Sequence, residues 1–306
     1  MKRGTLKGRF YHEVSLMPKG VPKKGFRNTK KRMASKAEKL QTKPLNIKTN
    51  ETDAQIWERI GTRFDILKTL TDATVTGESR ALIVSGPAGL GKSYTVEDAL
   101  KAWDPNGINH TIVKGFVKAT GLYKLLYQHR DAGKVLVFDD ADSIFYDDVS
   151  LNMLKAVCDT TEVRKISYLA EGSLVDEESA ERIPKNFEFN GAIIFITNLD
   201  FDHLIDRGHK LAPHLQALIS RSHYIDLAMK TKRDYIVRIK QVIDQGLLDK
   251  FALFSGEQKE VINFVEKNAD SMRELSLRSV LKIAALRKTG GPKWQNIATV
   301  TCCRNS

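Results

Sequence analysis

An α/β fold, with a parallel sheet sandwiched by helices and a small all-α unit after it, is the class that this sequence predicts. Three observations predict it. From residue 51 to about residue 228, short apolar runs alternate with stretches of helical period. That alternation builds crossover units, which cover both faces of a parallel sheet with helices. Beyond Ile225 the strand-like runs stop and three amphipathic stretches follow. Between the first run and the helix after it lies a glycine-rich turn, where open α/β sheets bind ligands.

The elements follow in order. "TDAQIWERIGTRFDILKTLTDA" spaces Ile56, Ile60, Phe64, Leu67 and Leu70 at helical period, with Thr52 or Asp53 as its cap. "ALIVS", Ala81 to Ser85, is a short apolar run ending in glycine, which reads as a buried strand. "SYTVEDALKAW" continues as a helix, "INHTIVKG" as a second strand and "TGLYKLLYQHR" as a helix. "KVLVF" is the third strand, and "DVSLNMLKAVCDT" sets Leu151, Leu154 and Val157 on one helical face. "AIIFITN" is the fourth strand. "TKRDYIVRIKQVIDQG", "GEQKEVINFVEKNAD" and "LSLRSVLKIAALRK" are the three helices of the second unit. Residues 163–190 form an insert, in which "VRKISYL" and "KNFEFNG" flank a polar, acidic stretch. It reads as a β-hairpin.

Charge divides the chain differently. Residues 1–50 hold 15 basic side chains against Glu13 and Glu38, a net of +13. The rest of the chain holds 34 basic and 35 acidic side chains, so the first fifty residues carry the whole excess of +12. That arm has too few apolar residues to offset its ordering entropy, and its charge suits a polyanion, nucleic acid above all. A solvated tail, or an arm packed on a neighbouring subunit, are the other readings. The expected organisation is a basic arm over 1–50, an α/β domain over 51–228, a helical domain over 229–289 and a C-terminal tail over 290–306.

Three cysteines, Cys158, Cys302 and Cys303, have neither metal-ligand spacing nor a disulfide framework, which fits a reducing cytoplasmic setting. No secretory signal and no membrane span are expected, since no apolar run is long enough.

"GPAGLGKS" fits G-x-x-x-x-G-K-[ST] at every fixed position, after a strand and before a helix. Gly86, Pro87, Ala88, Gly89, Leu90 and Gly91 supply a backbone cradle for ATP phosphates, with Tyr94 just beyond. Lys92 reaches the β and γ phosphates, and Ser93 offers a hydroxyl to Mg²⁺. "VLVFDDADS" ends the third strand in Asp139 and Asp140. Asp139 is placed to hold Mg²⁺ through water, at the end of a strand expected beside the phosphate loop. Asp140 is placed to orient the attacking water. Asp142 reads as structural, a cap for the helix that follows.

The ordered set of phosphate loop, "VFDDAD", a strand ending in "TN", a later "SR" and a helical domain with "SLR" resembles the AAA+ ATPase family over about residues 51–289. The resemblance implies a Mg²⁺-dependent ATPase with the helical domain as a lid. It implies that Asn198 is the sensor-1 residue, touching the γ-phosphate and the lytic water. Arg221 in "ALISRSHYIDL" would be the arginine finger that enters a neighbour's site, with Arg207 in "LIDRGHK" as the competing candidate. Arg278 in "LSLRS" resembles sensor 2, with Arg273 as the alternative. A finger acting in trans implies a homo-oligomer, a ring or open spiral.

Three features depart from the family's pattern. Asp140 stands where Glu is usual. "GFVKATG" is only weakly similar to an aromatic pore loop. The insert at 163–190 is unusual, and there Arg164, Lys165 and Tyr168 would touch a threaded strand or pack on their own domain. The expected function is an ATP-hydrolysing machine acting on nucleic acid, clamp-loader-like, helicase-loader-like or remodelling. A protein-remodelling ATPase in which Phe116 and Val117 grip polypeptide, or a slow nucleotide switch that scaffolds a protein partner, are the alternatives.

Overall fold

The computed structural model describes residues 50–169, 172, 174–176 and 180–304. The basic arm, apart from residue 50, and part of the insert's polar stretch lie outside the described residues.

Helix α1 (Asp53–Val75) opens the described chain. Thr52 caps it in a reciprocal box with Gln55, which decides between the two expected caps. Strand β1 (Ala81–Ser85), α2 (Lys92–Trp103), β2 (His110–Lys114), α3 (Ala119–Gln128), β3 (Val135–Asp139) and α4 (Asp148–Val157) follow. Asp142 does not cap a helix through its side chain. Asp147 caps α4 instead, accepting a hydrogen bond from the Ser150 amide.

The insert forms two antiparallel pairs, β4 (Lys165–Ser167) with β7 (Asn186–Glu188), and β5 (Leu174–Val175) with β6 (Arg182–Ile183). Arg164 is not on its outer surface. Only 5% of it is exposed, and it donates to the carbonyls of Val157 and Gly191. A threaded strand has no access to that guanidinium.

Strand β8 (Ala192–Thr197) leads to α5 (Phe201–Asp206), α6 (Ala212–Ile219) and β9 (His223–Asp226). The sheet order is β2-β3-β8-β1-β9, all parallel. Two expectations change here. β9 is a fifth strand where the sequence reading counted four. And β3 is not beside β1, because β8 lies between them.

Every residue of β1, β3 and β8 is buried, as central strands covered on both faces must be. Their side chains alternate between two cores. Ile83, Leu136, Phe138, Ile193 and Phe195 face the layer of α3 to α6. Leu82, Val84, Val137 and Ile194 face α1 and α2.

The helical unit contains α7 (Lys232–Asp244), α8 (Ser255–Asn268), α9 (Leu277–Thr289) and α10 (Trp294–Cys302). The segment set apart in the sequence as a tail therefore carries a helix. Its Trp294, Ala298 and Cys302 are buried with Phe264 and Ile283 in a third core. Helix α7 serves two cores. Its Tyr235 and Val237 join the sheet-side core, and its Ile239 and Ile243 join the helical one. Among the described residues, no helix is long and apolar enough to cross a membrane.

Candidate nucleotide site

The C-terminal edge of the parallel strands gathers the chemistry. Ser85 of β1 runs into the glycine loop, which opens α2 at Gly91. Gly91 holds φ +96°, a left-handed turn that aims the first amides of α2 back into the loop. Gly89, at φ +74°, is needed for a second reason. A Cβ there would sit 2.6 Å from Ser276 Cβ, so the start of α9 is pressed against the loop. The Leu277 amide donates to the Gly89 carbonyl at 2.8 Å.

Lys92 is 5% exposed, and its Nζ donates to the carbonyls of Gly86 (2.6 Å) and Pro87 (2.8 Å) and to Asn198 Oδ1 (3.0 Å). Burial pushes its pKa down to about 8, against the pull of Asp140, Asp139 and Asp142. The charge of Arg278 lowers it further, so Arg278 on the first turn of α9 sits near enough to act on Lys92. Asn198 in turn donates through Nδ2 to Asp140 Oδ1 at 2.6 Å. Lys92, Asn198 and Asp140 thus form one chain of hydrogen bonds across the loop, from β1's end to β8's and β3's.

Ser93 Oγ on the first turn of α2 donates to Asp139 Oδ1 at the end of β3 at 2.9 Å, although β8 lies between β3 and β1, the strand that leads into the loop. The pairing of a hydroxyl and a carboxylate at that spacing fits Mg²⁺, which takes few protein ligands and keeps several waters. The cradle fits ATP on the same grounds. Its loop carbonyls and amides lie next to a buried lysine, and its glycines occupy backbone that a Cβ would strain. Among the described residues, no group of three or more His, Cys, Asp or Glu side chains makes a metal site of another kind.

Asp140 has φ +55°, in the left-handed region. Asp and Asn are enriched there among residues with a side chain. The local backbone therefore favours the shorter acid over Glu. Asp142 accepts a hydrogen bond from the Thr197 hydroxyl, and burial pushes its pKa up to about 6. Tyr94 is 72% exposed beside the loop.

Two further groups touch the site that the sequence reading did not name. Lys114, the last residue of β2, lies in register with Asp139 and reaches its Oδ2 at 3.0 Å and Glu97 Oε1 at 2.9 Å. Those hydrogen bonds, Glu97's first, raise its pKa. Aligning the strand ends by register would have found it. Arg238 of α7 is buried, donates to the Leu90 carbonyl and lies 3.4 Å over the Phe64 ring. It looked like an ordinary polar position on an amphipathic helix.

Arg221 lies at the other edge of the sheet. It precedes β9, whose first residue pairs with Leu82 near the start of β1. Its guanidinium donates to the Ala217 carbonyl and lies 3.9 Å from Asp159. The topology thus separates it from the glycine loop of its own chain. Arg207 is exposed at the C-terminal end of α5, and Arg273 is exposed with its amide bonded to the Cys302 carbonyl.

A 36.7 kDa protein of Enterobacteria phage T4, encoded in the nrdC-mobD intergenic region, is 40% identical over 243 residues, 79% of this chain and 74% of its own. The chain belongs to the family of this T4 protein. No family model matches it. Among solved structures, a mutant of RuvB from Thermotoga maritima matches with a TM-score of 0.49 at 12% identity, over 80% of this chain and 69% of its own. NtrX from Brucella abortus in complex with ADP matches at 0.41 and 14%, over 86% and 56%. PCH-2 of C. elegans matches at 0.38 and 12%, over 87% and 70%. These matching structures are AAA+ P-loop ATPases.

Proposed function

We propose that this member of the T4 family binds Mg·ATP and hydrolyses it as an AAA+ ATPase, in a head-to-tail assembly that acts on nucleic acid. The observation that carries the reading is the hydrogen-bonded chain Lys92–Asn198–Asp140 beside the Ser93–Asp139 pair. It gathers at one sheet edge a phosphate lysine, a polar group for the γ-phosphate, a carboxylate for water and a pair for a metal.

In the proposed reaction, Lys92 leaves its loop carbonyls for the phosphate oxygens, which offer more charge. Asn198 keeps one Nδ2 hydrogen on Asp140 and donates the other to a γ-phosphoryl oxygen, while Asp140 orients the attacking water. Ser93 and Asp139 would hold Mg²⁺, which neutralises charge on the β and γ oxygens. Arg278 and the α9 terminus close over the loop. Arg221 is at the wrong edge to serve its own loop, which supports a finger entering the neighbour's site, and with it a ring or spiral. The proposed division is an arm over 1–50, the ATPase domain over 51–228, the lid over 229–289 and the segment after it.

The nucleic-acid target rests on the +13 of the first fifty residues. Phosphate release measured with no addition, with single-stranded DNA, with duplex DNA and with unfolded protein tests it. Stimulation by DNA alone supports the reading, and stimulation by unfolded protein alone overturns it. One observation favours that second reading. Phe116, in the loop after β2, is 74% exposed, as a side chain that grips polypeptide would be, whereas Val117 is buried in the core and does not share that role.

A further inference from the structure

At the edge of the sheet away from the glycine loop, the starts of β1, β3 and β8 line a half-open cleft of about 300 Å³. Three cations line it: Arg80 just before β1, Lys134 just before β3, and Arg164 at the start of the insert. The acid among its lining residues is Glu162, which is exposed.

None of the three cations has a carboxylate partner among the described residues. Arg80 donates to the carbonyls of Asp159 and Thr161, Lys134 to the Ile108 carbonyl and the Asn109 side chain, and Arg164 to the carbonyls of Val157 and Gly191. The Asp159 carboxylate is on the Thr160 amide and near Arg221. Carbonyl dipoles orient a guanidinium but do not cancel its charge. Burial, with Arg80 adding repulsion, pushes Arg164 down to about 10. Arg164 is buried while Arg80 and Lys134 are half-buried, and cations so withdrawn from water are ordinarily paired. A site that keeps several together without acids is built for an anion.

We propose that this cleft binds a phosphate group, with Arg80, Lys134 and Arg164 as its donors. Those residues approach from three separate segments of chain, which suits a tetrahedral anion with several acceptor oxygens better than a planar carboxylate with two. The guanidinium forks add directional donors to phosphate oxygens. The group's source is either free phosphate or a nucleic-acid backbone; the second source rests on the nucleic-acid reading above, and the first does not.

The test uses the full chain with its nucleotide loop saturated by a non-hydrolysable ATP analogue and Mg²⁺. Inorganic phosphate binding is read by ³¹P line broadening, and binding of a fluorescent single-stranded oligonucleotide by anisotropy across a salt series. Arg80→Gln/Lys134→Gln is compared with Lys68→Gln/Lys101→Gln, an equal loss of charge at exposed positions elsewhere. Circular-dichroism melts establish that both fold. The pocket variant is expected to bind phosphate at least about 5-fold more weakly, with the control unchanged. If the backbone is the source, the variant's salt slope also flattens by about 0.7, the share of one single-strand phosphate contact. Loss of phosphate binding without a change in the oligonucleotide slope supports a free-phosphate pocket and leaves the nucleic-acid reading to its own test. Phosphate binding equal in both variants overturns the proposal.

Discussion

The two edges of the central sheet handle charge in opposite ways. At the C-terminal edge, Lys92 is bonded through Asn198 to Asp140, Lys114 pairs with Asp139, and Asp142 accepts from Thr197. At the N-terminal edge, Arg80, Lys134 and Arg164 rest on carbonyl oxygens, and Arg221 has only a distant acid. The first edge is already balanced, so a ligand enters it by exchanging partners. The second is unbalanced, so a ligand enters it by supplying what is missing. On the proposed reading a head-to-tail contact sets the second edge of one subunit against the first edge of the next.

The largest break in that picture is Lys92→Ala. It should cut turnover by about 10³-fold and weaken ATP binding, read by phosphate release and by nucleotide titration. Arg221→Ala should lower turnover by about 10³-fold too, with ATP affinity unchanged. Mixing the two variants sharpens the comparison. Mixed assemblies restore activity at interfaces that keep both an intact loop and an intact finger. Mixed assemblies that form without rescue move the role to Arg207 or to no finger.

Asp140 divides chemistry from backbone. Asp140→Asn should keep ATP binding and slow hydrolysis by about 10²-fold, as loss of a positioned group does. Asp140→Glu should not act as a simple gain of reach. At φ +55° the longer acid loses the left-handed preference of Asp, at about 1 kcal/mol. A melting point lowered by about 2–4 °C checks it. A normal melting point with faster turnover would mean that side-chain length alone limits the rate.

The smallest expected effect concerns Asp142. Its folded pKa, about 6, lies above the ordinary 3.8. Between those values the folded state binds more protons, so this group's contribution falls as pH rises from about 4 to about 6. At pH 7 the ionised, buried carboxylate costs stability. Asp142→Asn should therefore gain about 1–2 kcal/mol at pH 7 and nothing below pH 4. Urea unfolding in EDTA at both pH values measures it.

Most of the sheet was legible because its central strands are short, apolar but for their last residue, and followed by glycine, aspartate or asparagine. β9 was not legible. His223–Asp226 is four residues of mixed polarity at the sheet edge, with Ile225 its one buried side chain. The order of strands was not legible either, because nothing local to β3 or β8 reports which lies beside β1. The loop and Asp139 were legible from the phosphate-loop motif and the acid-ended strand after it, and Asn198 only through the family resemblance. Lys114 and Arg238 were not, since each acts through a neighbour distant in sequence. Arg164 was legible as a cation but not as a buried one, since burial there comes from the return of β8. The helix at 294–302 is hard to read because Gly290, Gly291 and Pro292 mark a stop before it and it is only nine residues long.

Helix α7 has a consequence for anyone who wishes to take the molecule apart. Its first turns complete the packing around Phe64 through Tyr235, Val237 and Arg238, while its later turns complete the packing around Phe264 through Ile239 and Ile243. A fragment ended before it exposes the flank of α1, and a fragment begun with it carries an uncovered aromatic face into solvent. A cut after it leaves the remaining helices without their first wall. The seam between the two units is a shared beam and not a joint. Dissection into separately soluble pieces will need a duplicated α7, one copy repainted with polar residues on each newly bare side.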